Sequence, residues 1–119
     1  MQSFRDLQVW QKSMALVTSI YQATRDFPGN ESFGLTAQIR RSSVSIPSNI
    51  AEGFGRQASG DYLRFLTIAR GSLFELQTQL EISMNLGYLT NEAYQELENR
   101  SQEIARMLSS FIAKLRTSG

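Results

Sequence analysis

Residues 32–54 read SFGLTAQIRRSSVSIPSNIAEGF, and whether Pro47 ends a helix here decides the fold. Leu35, Ile39, Ile46 and Ile50 recur at spacings of four, seven and four, which fit a helical period. A proline inside a helix removes one backbone hydrogen bond and costs ~3 kcal/mol when nothing compensates. A break at Ile46 would ordinarily reset the apolar phase. The phase instead runs unbroken from Ile39 through Ile46 and Ile50 to Phe54. The sequence therefore predicts one kinked helix over 32–54, ended by Gly53 and Gly55.

The same period extends outward on both sides. A first helix is expected over 4–27, with Leu7, Trp10, Met14, Val17 and Tyr21 as its core stripe. Pro28-Gly29-Asn30 stops it. A third helix is expected over 59–86, with Ser59 as N-cap and Asp61 favouring its positive end. Its stripe is Tyr62, Leu66, Ala69, Leu73, Leu76 and Leu80, and Gly87 is a natural stop. The fourth, over 90–116, starts from Thr90 as N-cap. It carries Tyr94, Leu97, Ser101, Ile104, Leu108, Phe111 and Leu115 at alternating spacings of three and four. Short connections force successive helices antiparallel. The expected fold is all-α: one up-down four-helix bundle spanning 1–119.

Composition removes most catalytic chemistry. With no Cys there is no disulfide, thiolate ligand or cysteine nucleophile, and with no His the commonest general base and metal ligand are missing. No Glu-x-x-His pair exists for a di-iron bundle site, so no metal and no cofactor is expected, nor enzymatic activity. Gly53-Phe54-Gly55 lacks the Lys-Ser/Thr of a phosphate loop and reads as a helix cap. The start has no apolar run of a secretory signal, and no stretch approaches the ~18 apolar residues of a membrane span. A cytoplasmic protein is the expectation.

Net charge is +1, yet its distribution is uneven. Residues 40–70 hold five Arg (Arg40, Arg41, Arg56, Arg64 and Arg70) against Glu52 and Asp61, while 92–103 hold four Glu against Arg100. Planar guanidinium forks suit phosphate. These Arg side chains either contact RNA or DNA phosphates, non-specifically and salt-dependently, or are solvated or held in local ion pairs.

Several large apolar residues lie off the stripes: Val9, Leu16 and Ile20 in the first helix, Phe65, Ile68, Phe74 and Ile82 in the third, Met107 and Ile112 in the last. A wide core face accounts for any one of them. Together they wrap too far round for one core, so a second buried surface is expected, formed with other copies or a partner. Ser42, Ser45, Asn49 and Glu52 share one face. That face is either solvated or a polar seam against another helix, with Asn49 and Glu52 hydrogen-bonding across it. Gly71 inside the third helix suggests close packing there, with Glu75 paired to Arg40 or Arg41.

QIRRSSVSIPSNIAEG (38–53) and FLTIARGSLFELQTQLEISMNLGYL (65–89) resemble the 23S rRNA intervening-sequence, or S23-like, family of four-helix proteins. FRDLQVWQKSMALV and FPGNESFGL are similar to it too, and the last helix fits more loosely. The resemblance implies a homopentameric barrel of bundles. It also implies kinship with the accessory variability determinant of diversity-generating retroelements, whose basic barrel binds nucleic acid and a reverse transcriptase. Most members have no established role. Ser45, Asn49, Glu52 and Gly53 match the second-helix signature; Gly71, Ser72, Leu73, Glu75 and Leu76 match the third. Gln77 departs from it, standing where the family often has Glu.

Overall fold

Pro47 does not interrupt its helix. In the computed structural model, which describes residues 2–118, α2 runs unbroken over Leu35–Phe54 with Pro47 buried inside it. Nearby hydroxyls fold back on the backbone: Ser42 Oγ lies 3.1 Å from the Ile39 carbonyl, and Ser43 Oγ donates to the Arg40 carbonyl at 2.8 Å. The other long helices are α1 (Gln8–Thr24), α3 (Ser59–Asn85) and α4 (Asn91–Ser118). They pack antiparallel in chain order around one core, α4 closing back on α1. The body measures 45 × 23 × 20 Å, and its long axis matches the ~42 Å expected of a helix the length of α4.

Helix ends follow local chemistry. The chain opens with a 3₁₀ turn, Phe4–Asp6, held by a capping box between Ser3 and Asp6, and extended Leu7 separates that turn from α1. The first helix therefore begins later than the sequence predicts, and it stops at Thr24 instead of reaching Phe27. A second 3₁₀ turn, Gly29–Glu31, precedes α2. Glu31 Oε1 accepts the Leu35 N–H at 3.1 Å, so a side chain outside the helix satisfies one of its orphan donors. Ser59 is the first residue of α3 and not its cap; the N-cap is Ala58, without a side-chain bond. Thr90 Oγ1 does accept from the Ala93 N–H at 3.0 Å. After α3, Gly87 sits at φ 79°, the left-handed region that side chains disfavour. Tyr88 N–H then reaches the Ser83 carbonyl and Gly87 N–H the Met84 carbonyl, both at 2.9 Å, which forms a Schellman stop.

Core stripes on α2, α3 and α4 lie where the apolar spacing puts them: Ile39, Ile46 and Ile50; Leu66, Leu73, Leu76 and Leu80; Leu97, Ile104 and Leu108, with Ile112 added. In α1 the phase is reversed. Val9, Leu16 and Ile20, expected at a subunit interface, are buried in the protomer's own core. Met14 and Tyr21, expected in the core, are each 42% exposed. The buried face is completed by Ser13 and Thr24, whose hydroxyls donate to the Val9 carbonyl at 2.6 Å and the Ile20 carbonyl at 2.8 Å. Back-bonded hydroxyls can be buried without an unpaired donor, so polar residues stand on the core face.

Candidate functional site

The α2–α3 seam is where the two motif segments meet. Ser42 Oγ donates to Gln79 Oε1 at 2.6 Å, and the Ser45 and Ser72 hydroxyls lie 2.8 Å apart. Asn49 turns back to its own helix, donating from Nδ2 to the Ser45 carbonyl at 2.8 Å and to Ser45 Oγ at 3.0 Å. Glu52 is exposed and pairs with Arg56 at 2.7 Å. Neither Asn49 nor Glu52 bridges the helices. Gly53 makes the closest approach: a Cβ there would sit 2.9 Å from Phe65 Cβ and from Tyr62 Cδ1. Gly71, expected at a tight contact, faces outward, and a Cβ on it would meet nothing within 4 Å. Glu75 is not paired with Arg40 or Arg41. It accepts from Gln79 Nε2 at 3.2 Å, because Gln79 lies between it and Ser42. Gln77, the departure from the family pattern, points the other way and donates to Ser101 Oγ of α4 at 3.1 Å.

The five central arginines do not form one patch. Arg40 lies fourteen residues, about 21 Å along the axis, before Phe54 at the end of α2, and Arg56 follows beyond that end. Arg40 lies over the Tyr21 ring at 4.5 Å and donates from Nε to Thr24 Oγ1 at 2.9 Å. At the other end Arg56 and Arg64 both stack on Phe65, at 4.8 and 4.6 Å. Phe65 is thus half-buried beneath two guanidiniums and against Gly53. Arg70 reaches Ser109 Oγ of α4 at 3.4 Å. Arg41 and Arg64 are exposed with no ion pair among the described residues.

Apolar side chains also face outward on two sides. On α3, Ile68 and Ile82 are about two-fifths exposed and Phe74 is half exposed, at 50%. On the α1–α2 side, Met14, Tyr21 and Val44 line open grooves. Phe33, in the connection before α2, is 99% exposed. Sequence reasoning missed Phe33 altogether, and the only signal for it was an aromatic residue inside a turn. It missed Met14 and Tyr21 because it placed them in the core.

Three tyrosines titrate high: Tyr94 through burial and then the charges of Glu98 and Glu81, and Tyr62 and Tyr88 for reasons of their own. Tyr62 packs edge-on between Phe54 and Phe111, and burial pushes its phenol up from 10.0 to about 12. Tyr88 donates to Glu31 Oε2 at 2.9 Å; that bond, then burial, then the Glu31 charge raise its phenol. A raised phenol stabilises the fold below the unfolded pKa near 10 and loses that contribution as pH climbs through the folded value. Stability should therefore decline from about pH 10 to about 12, and Tyr62→Phe should flatten much of that decline. Denaturation midpoints measured across this range check it; an unchanged alkaline slope in Tyr62→Phe would refute the assignment.

Among the described residues no group of three Asp or Glu side chains is placed to hold a metal ion. Among the described residues no helix is long and apolar enough to cross a membrane. The class is thus an antiparallel four-helix bundle whose distinguishing features are a serine-lined α2–α3 seam and outward arginines and apolar residues.

The chain belongs to the 23S rRNA-intervening sequence protein family, whose profile matches residues 5–110. It is similar to a crystal structure of a protein of unknown function from the S23 ribosomal protein family of Bacteroides thetaiotaomicron. The two are 31% identical with a TM-score of 0.82, over 88% of this chain and 95% of that one. No curated protein matches significantly.

Proposed function

We propose that the protein is a non-enzymatic, self-associating helical scaffold whose outward arginines engage RNA or DNA phosphates without reading sequence. The observation that carries this reading is the presence of apolar side chains exposed on two sides of one small bundle. Large apolar groups left in water favour a second burial, and identical copies can supply it. The homopentamer implied by the family resemblance is the assembly this reading adopts. One protomer has a net charge of only +1, too little to draw in a polyanion strongly. Repetition around a ring multiplies the exposed Arg41 and Arg64 on a shared surface. Phosphate binding of that kind releases counterions and weakens steeply with salt.

A second reading, a protein-interaction adaptor that binds no nucleic acid, is favoured by the engagement of Arg40 with Tyr21 and Thr24 and of Arg56 with Glu52. A protein partner such as a reverse transcriptase is supported by the retroelement resemblance alone. Two measurements decide. Light scattering should give a mass several times 13.4 kDa; a value at 13.4 kDa would end the assembly. Filter retention of RNA or duplex DNA should be measurable at ~50 mM salt and largely lost by ~200 mM. No retention at either salt would leave the adaptor.

A further inference from the structure

We propose that the groove between the start of α1 and the last turns of α4 binds a small amphipathic carboxylate, a free alkanoate of medium chain length. The site is separate from the self-association and the phosphate contacts proposed above and depends on neither.

The groove exists because the two helices differ in length. α1 begins at Gln8, after extended Leu7, whereas α4 runs on to Ser118. The Lys12–Glu103 ion pair, at 3.2 Å, sets the height of one helix against the other. One turn further toward that end, Gln8 comes beside Met107, and α4 continues for about three turns with no α1 helix alongside. An open channel of about 520 Å³ is left between them, within the size of small-molecule sites.

The floor of the channel is apolar. Leu7 and Val9 are buried, and Met107 and Phe111 are half-buried. Phe111 packs edge-on against Tyr62 at 5.4 Å, so the floor is braced from behind. One wall is polar. Arg106, Ser110 and Lys114 follow at intervals of four, which puts them on one side of α4, and all three are exposed. Arg106 and Lys114 each stand one turn from Ser110, and both side chains are long enough to close on an anion held over its hydroxyl. Neither cation has an ion pair among the described residues, and Glu103, three residues before Arg106, is taken by Lys12.

A hydrocarbon floor beside a wall of unpaired cations complements a ligand with one negative head and an apolar body. The recess selects a free molecule over a membrane. Leu7 and Val9 are reached from within the channel by a slender chain, not by a flat bilayer surface. The surrounding field has the matching sign. The end of the bundle that holds the groove (residues 2–18, 45–72 and 102–118) carries eight Arg or Lys against four Asp or Glu. The opposite end carries four against seven, so an anion is drawn to the groove end.

The test is calorimetric titration of the full chain with decanoate, kept below the concentration at which it forms micelles. One saturable site per protomer is expected. Affinity should fall roughly fourfold for each CH₂ group removed from the chain. Decanol, the same body without the charge, should bind about tenfold more weakly. The double variant Arg106→Gln with Lys114→Gln changes two exposed positions, so circular dichroism and the urea midpoint should stay at wild-type values. Its affinity for decanoate should drop to that for decanol, while decanol binding is unchanged. Arg25→Gln, at the opposite end, should keep wild-type affinity for both. Absence of saturable decanoate binding would overturn the proposal. Equal affinity for decanoate and decanol would do the same, as would a double variant that binds decanoate as the wild type does. Binding to phosphatidylglycerol vesicles without binding to monomeric decanoate would assign the groove to a membrane surface and overturn the free ligand.

Discussion

Replacing Leu16 with Ala is expected to remove about 2–5 kcal/mol of unfolding free energy, while Met14→Ala, two residues away, removes less than about 1 kcal/mol from the protomer. Leu16 is fully buried in the core at 0% exposure, so truncation forfeits its transfer free energy and leaves a cavity. Met14 is 42% exposed and lines an open groove, where solvent fills the vacated space. Urea denaturation at low protein concentration reads the difference, with the m-value showing whether the unfolded state has changed. A larger loss at Met14 than at Leu16 would mean that α1 turns its other face to the core.

That pair of residues also shows where the sequence is legible and where it is not. On α2, α3 and α4 the core stripe is built from Ile and Leu with few interruptions, and the helical period alone locates it. On α1 two apolar stripes compete. The groove-facing one, Trp10, Met14, Val17 and Tyr21, carries the larger side chains and has no gap. The core-facing one is broken by Ser13 and Thr24, which hydropathy scores as solvent-facing. Their hydroxyls are satisfied by carbonyls one turn back in the same helix, a fact that exists only once the helix has formed. The expectation of two apolar faces on α1 came from counting, but counting does not say which face turns inward. The arginines have the same difficulty. Composition marks residues 40–70 as basic, whereas the perching of Arg40 on Tyr21, and of Arg56 and Arg64 on Phe65, depends on helix phase and on which ring lies alongside.

The two glycines singled out by the motifs should respond to substitution with opposite signs. Gly53→Val is expected to destabilise by about 1–3 kcal/mol, because its Cβ would meet Phe65 Cβ at 2.9 Å. That atom is anchored to the α3 backbone and cannot swing aside as the tip of a long side chain would. Tyr62 Cδ1 at the same distance closes the other direction, and its ring is held by Phe54 and Phe111. The helices would have to part, which would also strain the Ser45–Ser72 contact two turns away. Gly71→Ala meets no atom within 4 Å and replaces a flexible helix-interior glycine, so it should stabilise the protomer by about 0.5–1 kcal/mol. Paired denaturation curves at low concentration test both substitutions. Gly71 is the more conspicuous glycine in the sequence, since it interrupts a long helix, while Gly53 looks like part of a cap. Yet α2 and α3 approach closely at Gly53, because it lies on the seam face with Ser42 and Ser45 and Gly71 lies on the solvent side of α3. If Gly71→Ala destabilised the protomer as much as Gly53→Val, α3 would have to be rotated so that Gly71 meets α2, and the seam contacts of Ser72 and Gln79 could not form as described.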